Sequence, residues 1–191
     1  MKILVLDFET TGLDEEICAI TQVGATAGKI VPGEDMWGRP VYVESDYFNS
    51  RVRVPEGTAI FPVALSVQGK TYEEIMDQRL PESSKVWERF HAFWRAQGYP
   101  PIYAHHAPFD EKFLLKWQGD PKPFRRTCVR CTKQAFMLAQ DEGLFDATVS
   151  SSLDALSDFF KLGKPGAGKH DALADARAAA EVLARVKGAH L

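Results

Sequence analysis

The first ten residues carry a conflict that any fold of this chain must resolve. Ile3, Leu4, Val5, Leu6 and Phe8 form a near-continuous apolar run, the pattern of a strand buried on both faces. Asp7 and Glu9 interrupt that run. Two apart on a strand, they point to the same face. Carboxylates on a buried face are costly unless something neutralises them. A solvated strand end would be the bland explanation, but Asp7 follows four apolar residues and should lie deep.

Two further segments bear on that conflict. Asp110 stands in His-His-Ala-Pro-Phe-Asp (105–110), where a short strand should give way to a helix. Taken alone, it could simply be an acid favoured by the helix dipole. In open α/β sheets, however, sites gather at the carboxyl ends of strands. His170 and Asp175 stand in His-Asp-Ala-Leu-Ala-Asp (170–175). Five residues on one helix turn through about 140° beyond a full turn, which is not one face. His170 is therefore expected just before the helix, with Asp175 one turn inside. Four carboxylates meeting at one point are stable only with cations between them. Hard oxygen donors suit Mg²⁺ or Mn²⁺. Two such ions about 3.5–4 Å apart form the usual clamp for in-line phosphoryl displacement. The histidine is then a natural proton acceptor for an attacking water.

Composition narrows the context. The 191 residues suit a single domain spanning 1–191. Net charge is −3, so contact with a polyanion would have to be local or carried by bound cations. No apolar stretch is long enough for a signal peptide or a membrane span, and no membrane partner is expected. Cys18, Cys128 and Cys131 are too few and too oddly spaced for a disulfide framework, which favours a reducing, cytoplasmic setting. Cys128-x-x-Cys131 has no second pair to complete a zinc site.

Strands are expected over 2–8, 17–27 and 41–53, with a long hairpin loop at Pro32-Gly33-Glu34-Asp35 and a turn at Gly12. Residues 54–80 read as irregular with short helical pieces. Pro81 should open a helix to about Gln97, its Val86, Trp87, Phe90, Phe93 and Trp94 facing the core. A short strand at 101–105, a helix at 109–117 with Phe109, Phe113 and Leu114 inward, and a helix at 132–140 follow. Ser151–Asp154 fits a capping box for a helix to about Leu162. A Gly-rich loop (163–169) then leads to an alanine-rich helix over about 171–186. The mixture predicts an α/β fold with a mixed sheet.

The three segments also carry a resemblance. Asp7-x-Glu9-Thr10-Thr11-Gly12, His105-x-Ala107-x-Phe109-Asp110 and His170-x-Ala172-x-x-Asp175 resemble, in order, the three motifs of the DEDDh (DnaQ-like) exonucleases. Ile20–Gly24 resembles that family's second strand, and Ser152-Leu153-x-x-Leu156 the helix before its third motif. The resemblance implies an RNase H-like mixed β-sheet flanked by helices. It implies hydrolytic removal of mononucleotides from single-stranded 3′ ends. Asp7, Glu9, Asp110 and Asp175 would hold two Mg²⁺ or Mn²⁺ ions, and His170 would take the proton of the attacking water. Thr10, Thr11, Gly12, Leu13, His106 and Phe109 would meet the substrate. Thr10 and Thr11 would hold the terminal sugar, and Leu13 would wedge between the last two bases. The family usually has Asn where this chain has His106. A homodimer and a polymerase or repair partner are candidate assemblies. DNA is weakly favoured over RNA, with an RNase T-like exoribonuclease as the alternative and a catalytically silent nucleic-acid-binding module behind it.

Two other patterns compete. Gly163–His170 nearly spells a phosphate-binding loop, but the final position is His rather than Ser or Thr and a helix precedes it where a strand is needed. Lys122, Arg125, Arg126, Arg130 and Lys133, with Phe124 among them, form the densest basic patch. A solvated face is a slightly better account of it than a backbone-phosphate track.

Overall fold

A computed structural model describes residues 1–34, 38–118, 129–162 and 170–189. Five strands form one sheet: β1 (Lys2–Thr10), β2 (Ile20–Val31), β3 (Val41–Arg51), β4 (Ile102–Ala104) and β5 (Val129–Cys131). Their spatial order is β3-β2-β1-β4-β5. The first three pair antiparallel, while β4 and β5 join parallel to β1. The seven helices among the described residues are α1 (Pro62–Gln68), α2 (Tyr72–Ile75), α3 (Ser83–Ala96), α4 (Ala107–Trp117), α5 (Thr132–Asp141), α6 (Leu153–Phe159) and α7 (Ala172–Gly188). The expected mixed sheet flanked by helices is thus observed.

β1 lies at the centre, which explains its apolar run. Leu4, Leu6 and Phe8 face Phe90, Phe113 and Leu114 of α3 and α4. Ile3 and Val5 face Ala179, Ala180, Leu183 and Ala184 of α7. Asp7 and Glu9 continue the α7 face toward the end of the strand. A third apolar cluster joins α5, α6 and α7 through Phe136, Leu156, Val182 and Val186. Trp87, Phe93 and Trp94 pack against the first cluster, so the α3 aromatics serve the core.

Several boundaries differ from expectation, each for a local reason. β2 starts at Ile20, not 17, because the Asp14 carbonyl accepts from the N–H groups of Ile17 and Cys18 and makes that stretch a turn. Pro81 lies outside α3. The helix begins at Ser83, after an extended Glu82, while the Pro81 carbonyl accepts from Arg53. The capping residue of α6 is Ser152 rather than Ser151, and its third helical residue is Ala155, which cannot return the bond. A reciprocal capping box occurs instead at Thr71 and Glu74. Strand β5 was not anticipated. Cys131 caps α5 by accepting from Gln134, and its thiol donates to the His105 carbonyl. Cys128, Lys122, Phe124, Arg125, Arg126, the 163–169 loop and the tip of the 32–35 hairpin loop at Asp35 lie outside the described residues. Arg130 of the basic patch donates to the Tyr103 hydroxyl and lies over its ring.

Candidate active site

Three elements deliver the acids. β1 supplies Asp7 and Glu9 from its C-terminal half. It runs well past β4, which pairs only with Leu4 and Val5. The freed Phe8 N–H donates to the carboxylate of Asp110, in the first turn of α4. The N-terminus of α7 supplies the rest. Asp171 caps it by accepting from Ala174, which leaves His170 just outside and Asp175 one turn inside, as the spacing predicts.

The groups converge. Ligand atoms of Glu9, His170 and Asp175 all lie within 4.8 Å of one another. His170 Nδ1 is 3.3 Å from Asp175 Oδ2. Asp7 joins electrostatically, raised well above the ordinary range by burial and then by Asp110, Glu9 and Asp175. Burial pushes Asp110 to about 8. Glu9 is pushed to about 7, again chiefly by burial, with Lys70 and His170 pulling the other way. Among the described residues, Glu9 Oε1 and Asp110 Oδ1 are buried without a hydrogen-bond partner. Buried oxygens of this kind are rare and call for an explanation. A divalent cation fits: the donors are carboxylate oxygens, the acids repel one another without it, and two of their oxygens point at no donor.

A cleft of about 590 Å³ runs beside the acids, lined by Asp7, Glu9, Gly12, Leu13, His106 and Phe109 among others. Its rim is apolar. Leu13 is 78% exposed and Val63 75%, with Phe61 and Val67 also exposed. Exposed apolar side chains grouped at one mouth mark a binding surface. Gly12 lies against Phe61 and Cys18, where a Cβ would come within 2.4 Å and 2.7 Å of their side chains. Phe109 packs on Phe113 at 5.1 Å and also faces the cleft. His106 is the exposed capping residue of α4 and makes no side-chain cap bond.

Of the two motif threonines, Thr10 is among the residues lining the cleft. Thr11 is fully buried. Its hydroxyl donates to the Ala59 carbonyl and accepts from the Ala19 N–H, while its own N–H and carbonyl bind Ala19 and Phe61. Its polar groups are thus engaged inside the protein, where they tie the 11–19 turn to the 59–61 segment. The Thr10 hydroxyl donates to the Gly12 carbonyl at 2.6 Å and shapes the same turn.

The exonuclease profile, of the RNase T group, matches residues 4–183. This chain belongs to the DEDDh exonuclease family. A DNA polymerase III subunit epsilon-like protein of Rhodobacter capsulatus is 31% identical over 97% of the chain. The chain spans only 24% of that relative's length. Among solved structures, E. coli exonuclease I in complex with a dT13 oligonucleotide superposes with a TM-score of 0.72 at 15% identity, covering 97% of this chain and 41% of that one. The nuclease domain of 3′hExo, a DEDDh family member bound to rAMP, gives 0.69 at 14% identity, covering 96% and 90%. These likenesses establish the RNase H-like exonuclease fold.

Sequence reasoning missed part of this candidate site. Phe61, Val63 and Val67 sit on or beside α1, a seven-residue helix too short to show a period. Gln22, Gln68, Lys70 and Asp171 form a polar network behind Glu9. Asp171 alone had a local signal, as an acid in front of a helix. Among the described residues no helix is long and apolar enough to cross a membrane.

Proposed function

We propose that this domain hydrolyses the terminal phosphodiester at the 3′ end of single-stranded nucleic acid, releasing mononucleotides. The observation that carries the reading is the convergence of Glu9, His170 and Asp175 within 4.8 Å, beside two orphaned buried carboxylate oxygens and an apolar cleft. Asp7, Glu9, Asp110 and Asp175 would hold two Mg²⁺ or Mn²⁺ ions. Such ions, when bound, supply Lewis acidity and neutralise charge at the phosphate.

The remaining work falls to the chain itself. His170 is half exposed, so it can meet a water and accept its proton. Asp175 beside it stabilises the imidazolium that results. Leu13, Phe61, Val63 and Phe109 give the terminal bases apolar surface, which suits unpaired ends. Attack on phosphorus in line with the 3′ oxygen then breaks the ester and leaves a nucleoside 5′-monophosphate.

DNA is the weakly favoured sugar. An exoribonuclease reading is supported by the rAMP-bound relative, as the DNA reading is by the dT13 complex. The polymerase-epsilon-like relative motivates a polymerase partner. Incubating 5′-labelled single-stranded DNA and matching RNA with Mg²⁺, Mn²⁺ or EDTA, beside Asp7→Ala, tests the proposal. A metal-dependent ladder shortening from the 3′ end, absent in the variant, is expected. No ladder with either metal, with strand binding intact, would favour a silent binding module.

A further inference from the structure

Lys70 is unclaimed by any of these roles, yet it stands between both halves of the site. It follows the α1 cap at Gly69, and its N–H donates to the Leu65 carbonyl, so its backbone is fixed. Its ammonium donates to Gln22 Oε1 at 2.9 Å and is 3.4 Å from Gln68 Oε1. Among the described residues it makes no ion pair within 4 Å. Among the carboxylates around it, Glu9 acts most strongly on its charge.

The two glutamines carry its effect in opposite directions. Gln22 donates its amide to Asn49 Oδ1 at 3.1 Å and to Asp171 Oδ2 at 2.8 Å. The Asp171 carboxylate can only accept and the Lys70 ammonium can only donate, so the Gln22 NH₂ faces Asp171 and its oxygen faces Lys70. Asp171, gripped this way, uses its other oxygen to cap α7 at Ala174. That cap sets the turn that carries Asp175 and follows His170. Gln68 donates to the Thr10 carbonyl at 2.7 Å and accepts from the Thr21 hydroxyl at 2.8 Å, fixing the strand just past Glu9. Both glutamines are buried, so a misoriented amide has no water to turn to.

We infer that Lys70 is a positioning residue, which locks the Gln22 and Gln68 amides and so registers α7, with His170 and Asp175, against Glu9 on β1. The inference rests on the proposed exonuclease reaction. A cation is the right group, since an ammonium has donors only and can satisfy two carbonyl oxygens at once. Methionine at this position keeps the stem and removes the donors. The buried Gln22 Oε1 is then left without its donor, and the Gln22–Asp171 link that holds the α7 cap loses its anchor on the α1 side.

The test compares Lys70→Met, Lys70→Arg, Gln22→Leu and the Lys70→Met/Gln22→Leu double variant in the full chain. Readouts are kcat and KM on 5′-labelled oligo(dT) with Mn²⁺, Mn²⁺ affinity by calorimetry without substrate, and melting temperature. Lost support for a metal site typically costs about 10–100-fold in affinity or activity. Lys70→Met should lose that much in kcat and Mn²⁺ affinity while KM changes less than about twofold. Lys70→Arg should recover most of it, and the double variant should be no worse than the poorer single. Wild-type kcat and Mn²⁺ affinity in Lys70→Met would overturn the inference, as would losses in the two single variants that simply add. Asp7→Ala separates the two failures. If wild type shows no metal-dependent shortening, or Asp7→Ala keeps it, the proposed exonuclease site falls; if Asp7→Ala is dead while Lys70→Met is normal, only the role of Lys70 falls.

Discussion

Gly24 offers a sharp test of how the fold positions the chemistry. It lies in β2 beneath the start of α7, where an added Cβ would come within 2.1 Å of Ala172 C and Leu173 N and 2.4 Å of Ala172 O. Those atoms are backbone, so no side chain can swing aside. Relief needs the first turn of α7 to recede by more than about 1 Å. The helix resists, because Ala179, Ala180, Leu183 and Ala184 are already seated on β1. Overpacking of this kind costs about 1–3 kcal/mol. For a domain of this size each kcal/mol lowers the melting temperature by about 2–4 °C, so Gly24→Ala should melt roughly 2–12 °C lower. The displaced turn carries Asp175 and directly follows His170, and a misplacement of about 1 Å can cost roughly 100-fold in rate. The assay is circular dichroism melting together with initial rates on oligo(dT), measured well below both midpoints. Gly143→Ala is the control. Its φ of +76° strains an alanine, but nothing lies within 4 Å of the new Cβ. It should lose about 1 kcal/mol of stability and no activity. A Gly24→Ala protein with unchanged melting and a rate within twofold of wild type would refute the claim that this contact sets the active-site register.

Other perturbations separate stability from function. Asp110 titrates at about 8 when folded against an ordinary 3.8. The metal-free protein should therefore be most stable below the lower value and lose that stability as pH rises through the upper one. In EDTA, wild type should weaken between pH 5 and 8 while Asp110→Asn stays flatter; parallel curves would contradict the assigned burial. Saturating Mn²⁺ should reverse the loss, by about 2.7 kcal/mol at a hundredfold excess over Kd, and do so only while Asp110 is present. His105 has the opposite sign. Burial lowers it to about 4, while Nε2 donates to the Ser151 carbonyl and Nδ1 accepts from the Thr132 hydroxyl. Its contribution is whole above about 6.5 and is lost as pH falls toward about 4, a difference of about 3 kcal/mol that a His105→Gln melting series would remove. Leu13→Ser and Val63→Ser should raise KM for single strands at unchanged melting temperature, since both side chains stand in solvent; unchanged KM would take the rim out of the binding surface. Phe136→Ala, in the cluster that joins α5 to α7, should cost about 3–5 kcal/mol by chemical denaturation.

The parts of this site that are legible in sequence are those with a local conflict. Asp7 and Glu9 stand out because acids break an apolar strand, and Asp110, His170 and Asp175 because each sits where a strand or loop meets a helix. Lys70 has no such signature. Its meaning lies in Gln22, and through it in Asp171, 149 residues further along the chain from Gln22. Strand β5 is three residues long and exists only because β4 offers it an edge. Thr11 shows the converse: its hydroxyl joins two loops, a structural role that the motif alone does not reveal. The alanines of α7 make the point most sharply. In sequence they read as helix propensity, and that reading is correct as far as it goes. Their size matters as much. Ala172, Ala176, Ala179, Ala180 and Ala184 are all buried, and the helix start lies so near β2 that only glycine fits beneath it. Small residues on the helix and Gly24 on the strand together set how close α7 comes to β1. That distance in turn sets how near Asp175 stands to Glu9, within reach of one proposed cation. The same letters thus encode a helix and a spacing, and the spacing becomes visible only once the partner strand is in place.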